Sequence, residues 1–359
     1  MPWINSKGLA QETVIDPRTG LKKTVSVKVS GKGEKARQEA FTALQDKIRR
    51  MNETRFRLAE VIELYLKESA LTMKPSSLTR KESHFRSIVS ILGNPYVDSL
   101  TAGYIRMKFA ESGKSNRTLN DYQETFKAFW RWAYRNDFMK STEVADKLSI
   151  LPDQSVKERI QDKYLEPEEL QALLEALPEK RDILLVKFLV LTGCRASEAI
   201  ALNDDDIVGD YVRINKNYDH LNNIVTTPKT VTSRREIYIQ PELKDLIQEM
   251  REYVLWEKKV FSFQTGIFFP DIDGNYYKYA RFNSHVAKTA HKVLGRRATT
   301  HIFRATHCSM LVAKGMSFES ISARLGHENS KITKEIYFHR LKELREAENR
   351  QLDNIRILG

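Results

Sequence analysis

The spacing of apolar residues divides the chain before any motif does. Residues 21–30, LKKTVSVKVS, alternate small or apolar side chains with Lys and Ser, the period-two pattern of a half-exposed strand. DPRTG (16–20) supplies a turn before it, and GKGEK (31–35) breaks it. The period then changes. Ala40, Leu44 and Ile48 recur every four residues, with Phe41 beside them, which predicts a helix over 35–50. Residues 54–140 keep a helical period throughout. Leu58, Val61, Ile62, Tyr65 and Leu66 form one face of 57–70. Ser76 or Ser77 is expected to cap a helix that Gly93 stops, and a short helix follows Thr101. The stretch 117–138 is a longer helix whose aromatics, Tyr122, Phe126, Phe129, Trp130, Trp132 and Tyr134, are expected in a bundle core rather than stacked on bases.

Periodicity fades over 141–160, which contains Pro152 and reads as a connector. Beyond it the pattern is mixed. RDILLVKFLVLTG (181–193) is apolar enough for a central helix with Gly193 near its end. YVRIN, NNIVTTPKT and RREIYIQ, all within 211–240, read as strands. Further helices follow from Pro241, and the chain ends in a charged helix with an apolar tip. The fold class is therefore mostly α with small β elements: a sheet-plus-helix module, a helical domain and an α+β domain.

Composition narrows the partner. The 359 residues carry 59 Lys+Arg against 47 Asp+Glu, a net charge of +12. Residues 1–55 hold 12 basic and 6 acidic residues, so half of the excess sits in about a sixth of the chain. Such a balance favours a polyanion, with nucleic acid ahead of an acidic membrane. The two cysteines, Cys194 and Cys308, exclude a disulfide framework and a cysteine-based zinc site. No apolar run is long enough for a membrane span and no signal peptide is evident, so a cytoplasmic protein is expected.

Common catalytic signatures are missing. There is no GxxxxGK[ST] loop. His327-Glu328 starts like HExxH, but Lys331 stands at the fifth position. The acidic run Asp204–Asp206 is expected to mark a turn rather than a two-metal site. What remains is a set of cations and one phenol. Arg195 stands at a helix start with Glu198 one turn on, where it can pair with the arginine. Lys229 lies in an expected hairpin. His301 and Arg304, three apart, share a helical face, with Thr300 as the expected cap. His327 follows a Gly326 stop, and Tyr337 lies ten residues later. His339 is expected to be structural, and Lys334 and Glu335 to lie on the solvated face of a short, movable helix.

The order Arg195…Glu198, Lys229, His301-x-x-Arg304, His327, Tyr337 resembles the signature of the tyrosine recombinase family, the phage-type, lambda-like integrases. TGCRASEAIAL (192–202), K-T-x-x-S-x-R (229–235) and LGH before I-Y-x-H also fit the family's habits. Phe303 departs from the commoner HxLR and is expected to fill the same apolar pocket. The resemblance covers the last 200 residues in detail and the rest more loosely.

It implies an arm-site DNA-binding domain over 1–52, a helical core-site DNA-binding domain over 53–142, a linker over 143–162 and a catalytic domain over 163–359. It also implies cleavage of one DNA strand by Tyr337, leaving a 3′-phosphotyrosine. Arg195 and Arg304 would clamp the phosphate, His301 would act as base, Lys229 as acid, His327 as a phosphate donor and Glu198 as orienter. Backbone-contacting cations are expected among Lys22, Lys23, Lys28, Arg80, Lys81 and Lys114. No metal or other cofactor is implied. The partners implied are double-stranded DNA at core and arm sites, three further copies in a homotetramer, an excisionase and a host DNA-bending protein. The C-terminal helix, with Leu352, Ile355, Ile357 and Leu358, either docks on a neighbour or covers its own domain. Two other readings share the scaffold: a type IB topoisomerase, and a DNA-binding protein without catalysis.

Overall fold

Alternation over 21–30 does yield a strand, and the four-residue period after it a helix. The structure, a computed structural model, describes residues 3–15, 21–31, 33–52, 56–152, 160–228, 233–326 and 331–352. Strands β1 (Trp3–Ile4), β2 (Leu9–Ile15) and β3 (Lys22–Lys28) form an antiparallel sheet in that order, with Leu9 opposite Lys28 and Ile15 opposite Lys22. Helix α1 (Glu34–Asn52) covers one face, so Ala10 and Val25 meet Ala40, Leu44 and Ile48. Lys22, Lys23 and Lys28 remain exposed on β3.

The helical region builds its own core from α2 (Leu58–Ser69), α3 (Pro75–Leu92), α4 (Ala102–Glu111), α5 (Asn116–Arg135) and the single turn α6 (Glu143–Asp146). Pro75 opens α3, so Ser76 and Ser77 lie inside its first turn rather than capping it. Gly93 takes the left-handed conformation that ends α3, and the Thr101 hydroxyl caps α4 by accepting from Tyr104 N. On α5, Tyr122, Phe126, Phe129 and Trp130 are buried, whereas Tyr134 is exposed. Trp132 lies between these extremes and donates its indole N–H to Glu68 at 2.9 Å.

Residues 143–152 belong to this core as well. Ala145 and Leu148 are buried in it, and Leu151 is tied to Asn120 through both backbone groups. The connector expected over 143–162 is therefore partly built into the helical region. The chain forms two compact units, which divide between residues 155 and 156.

The second unit is organised on α8 (Lys180–Thr192), which follows α7 (Pro167–Ala176). Leu184, Leu185, Val186, Phe188 and Leu189 are all buried, as an apolar helix with no solvent face requires. A short helix α9 (Ala196–Ile200) leads to strands β4 (Ile207–Val208), β5 (Tyr211–Ile214), β6 (Asn217–Asp219), β7 (Ile224–Thr226) and β8 (Arg235–Tyr238). They form two antiparallel sheets, β4-β5-β8 and β6-β7. The Asp204–Asp206 run is a 3-10 turn whose acids pair with Arg251 and Lys216.

Helices α10 (Pro241–Phe261), α11 (Tyr279–Leu294), α12 (His301–Ala313), α13 (Phe318–Leu325) and α14 (Lys331–Leu352) complete the unit. Phe303 is fully buried beside Phe282 in the main core, and its burial is worth about 2–3 kcal/mol. A second cluster joins α12, α13 and α14 through Val312, Ile321, Leu325 and Ile336, with Tyr164 beneath. No helix among the described residues is long and apolar enough to cross a membrane.

Candidate active site

The site grows from the C-terminal end of α8. Gly193 ends that helix with φ +67, a conformation that favours glycine. The tight turn lets Arg195 stand, extended, just before α9. Glycine is required here for a second reason. A Cβ at 193 would lie 2.4 Å from His307 Cδ2 and 2.6 Å from a methyl of Leu325. Gly193→Ala is expected to cost about 2–4 kcal/mol, combining left-handed strain with overpacking. Urea unfolding measures it, and a change below about 0.5 kcal/mol would contradict this account of the turn.

Glu198 gathers the arginines. Its carboxylate accepts from Arg195 N at 2.8 Å, Arg195 Nη1 at 2.7 Å and Arg235 Nη2 at 2.9 Å. The Arg235 side chain is only 6% exposed and also donates Nε to the Arg324 carbonyl at 2.8 Å. Burial alone would push the Glu198 carboxyl up. The charge and hydrogen bond of Arg235, then those of Arg195, outweigh that and hold it at about 2. A carboxyl more acidic in the folded than in the unfolded chain stabilises fully above the ordinary 4.5 and loses its effect as pH falls toward 2. Glu198→Gln is therefore expected to lower stability at pH 7 by roughly 3 kcal/mol and to flatten the acid side of the stability profile. Unfolding series between pH 7 and about 3 test this; parallel curves for wild type and variant would refute it.

Helix α12 brings the other half. Arg304 is buried and donates Nη1 to the Gly193 carbonyl at 2.6 Å and Nη2 to the Leu325 carbonyl. Burial, then the guanidiniums of Arg195 and Arg235, press its pKa down to about 9, so it stays charged at pH 7. His301, in the first turn, opens to solvent. Partial burial, then the charges of Arg195 and Arg304, hold its pKa below the ordinary histidine value. The ring is thus neutral near pH 7 and able to take a proton. Behind it, His307 is buried with Nδ1 on the Val190 carbonyl at 2.6 Å and a pKa pushed down to about 3, so it stays neutral.

Tyr337 lies near the start of α14, half-buried, its ring edge-on to Phe318 with centroids 5.5 Å apart. Its hydroxyl forms no hydrogen bond with another described residue. The helix carrying it is not short: α14 runs 22 residues and is held by the buried Ile336. Glu335 is not simply solvated either. It accepts from Lys163 Nζ at 3.1 Å, and Lys334 sits over the Phe318 ring. His339 makes a local contact, 3.2 Å from Glu343.

Arg195, Glu198, His301 and Arg304 thus share one corner. Lys229 and His327 lie outside the described residues, as do Ile355, Ile357 and Leu358. Of the other cations singled out, Lys114 is exposed and Arg80 pairs with Asp121 at 3.2 Å. Lys81 donates to the Tyr65 hydroxyl and covers its ring.

Two residues of the corner were not singled out from sequence, Arg235 and Arg324. The first closes the K-T-x-x-S-x-R pattern, which was its signal. The second, bonded to the Leu191 carbonyl at 3.1 Å, had none. Away from the corner, Glu179, Asp182 and His285 approach closely enough to hold a cation. Their carboxylates, however, already accept from Tyr277 and Arg281 and contact His285.

Residues 163–343 match the phage integrase family. The prophage ps2 probable integrase of Lactococcus lactis subsp. lactis (strain IL1403) is 26% identical over 364 residues, covering 94% of this chain and 95% of that one. The ICEBs1 integrase of Bacillus subtilis (strain 168) is 26% identical over 248 residues, covering 65% and 64%. Among solved structures, a lambda integrase dimer bound to a COC′ core site superposes with a TM-score of 0.60 at 16% identity, covering 94% of each chain. The Tn1549 transposon integrase in complex with a circular intermediate DNA gives 0.61 at 18%, covering 80% of this chain and 98% of that one. At these identities the superpositions establish the shared fold.

Proposed function

The chain belongs to the phage integrase family, the tyrosine recombinases, and on that premise we propose that it integrates and excises a mobile element or prophage by cleaving and rejoining DNA at specific sites. Tyr337 attacks a phosphodiester, giving a 3′-phosphotyrosine and a free 5′-hydroxyl. Its proton passes to His301, which avoids most of the roughly 4 kcal/mol needed to ionise a phenol of pKa near 10 at pH 7. Arg195 and Arg304 hold the non-bridging oxygens, on which negative charge grows in the transition state. Lys229 protonates the leaving 5′-oxygen, His327 donates to the phosphate, and Glu198 orients Arg195. Attack of a new 5′-hydroxyl reverses the step, so the stored ester needs no nucleotide.

One observation carries this reading. Arg195 and Arg235 share the single carboxylate of Glu198, and Arg304 lies near enough to feel both guanidiniums, leaving a surplus of positive charge. A corner held at that surplus gains most from an anion, and a phosphodiester supplies one. We further read residues 1–52 as an arm-site module gripping DNA through Lys22, Lys23 and Lys28, and 53–142 as the core-site module. Two grips on one DNA raise effective concentration. Four protomers are required because four strands are exchanged. An excisionase and a host DNA-bending protein are the accessory partners, and the bacterial cytoplasm is the place of action.

The test uses junction DNA recovered from the circular form of the element, nicked so that cleavage traps the enzyme, in EDTA and without ATP. A covalent adduct at the Tyr337 peptide is expected. No adduct would sink the catalytic reading, and relaxation of plasmids lacking the junction would replace it with a topoisomerase.

A further inference from the structure

Thr300 occupies the cap position of α12 but does not cap it: its backbone is already helical, at φ −57 and ψ −17, and its side chain makes no cap bond. Its buried hydroxyl instead lies 3.0 Å from the hydroxyl of Tyr279, and its N–H points to Asn283 Oδ1 at 3.4 Å. The first turn of α12 is therefore placed by α11 rather than by its own cap. The Tyr279 ring is held in turn. It stacks on His220 with centroids 4.5 Å apart and planes 28° from parallel. His220 follows β6, where Asn217 Oδ1 accepts the Ser197 hydroxyl at 2.7 Å. Ser197 lies in α9, two residues after Arg195. A continuous series of contacts thus links the Arg195 turn, through β6, His220, Tyr279 and Thr300, to His301.

We propose that Tyr279 is a positioning residue, which through the Thr300 hydroxyl sets where His301 stands relative to Arg195 and Arg304. The inference rests on His301 acting as the base toward Tyr337. Among the described residues, the charged groups that act on His301 are Arg195 from the α9 turn and Arg304 from its own helix.

The experiment is single-turnover cleavage of the nicked junction DNA by the full chain, with each variant expressed as a ratio to wild type across pH. Tyr279→Phe keeps the ring on His220 and removes the bond to Thr300; Thr300→Val removes the same bond from the other side. Each is expected to slow cleavage about tenfold at pH 7, and the double variant no further, because both delete one interaction. Thr300→Ser, which keeps the hydroxyl, is expected to stay within about twofold of wild type. The deficit should shrink as pH rises from 7 toward about 8.5, where hydroxide takes over part of the work of a misplaced base. His301→Ala is the reference and should show the same alkaline relief. A Tyr279→Phe deficit constant with pH, beside a relieved His301→Ala, would mean a merely structural role and overturn the inference. A Tyr279→Phe rate equal to wild type overturns it too. If His301→Ala shows no relief, the assignment of the base has failed, and the positioning role falls with it.

Discussion

Tyr337→Phe is expected to abolish covalent attachment to DNA while leaving the protein folded and able to bind. The change removes one oxygen. That oxygen has no hydrogen-bond partner among the described residues, so its loss strands no buried group. The ring keeps its edge-on contact with Phe318, and the neighbouring Ile336 keeps α14 in the cluster it shares with α12 and α13. Stability should therefore stay within about 0.5 kcal/mol of wild type. Chemistry has no such tolerance. A phenyl ring has no nucleophile, and losses of about 10⁶-fold are the scale for removing one. The measurement pairs adduct formation on nicked junction DNA with binding to the intact duplex. Adduct formed by the variant would move the nucleophile elsewhere; loss of binding would make Tyr337 a packing residue.

Arg304→Ala is the second large effect, and it acts on two levels. Cleavage should fall by about 10³–10⁵, the range for removing an arginine that meets charge developing on a phosphoryl group. Stability should also fall, by roughly 2–5 kcal/mol, because the Gly193 and Leu325 carbonyls lose their buried donor. The two are separated by measuring cleavage well below the unfolding temperature. Arg304→Lys restores charge but not the fork that reaches both carbonyls, so it should recover little of the rate. Cleavage by Arg304→Ala within tenfold of wild type would remove Arg304 from the chemistry.

Much of this architecture could be read from spacing because the relevant forces are local. A four-residue apolar period makes a helix with one buried face wherever it occurs, as in α1 and α2. Gly93 and Gly193 stop helices because their left-handed backbones favour glycine. Local rules failed where a distant group competed. Thr300 was expected to cap α12, but the Tyr279 hydroxyl takes its side chain. Glu335 was expected in solvent, but Lys163 reaches it across 172 residues of sequence. The stretch 143–152 looked like a connector because its few apolar residues have no period. Ala145, Leu148 and Leu151 nevertheless fill the edge of the helical core.

By itself the sequence determined the order of helices and strands, the excess of basic charge, and the set of arginines, histidines and tyrosine in their family order. These depend on residue type and period, which are properties of the linear chain. Only the tertiary structure decided that Arg235 shares Glu198 with Arg195, and that Arg304 closes on the Gly193 carbonyl 111 residues away in sequence. Those contacts depend on α8 and α12 burying their faces in one core. That packing settles which buried charges must meet, because none of them can be left without a partner in so dry a place.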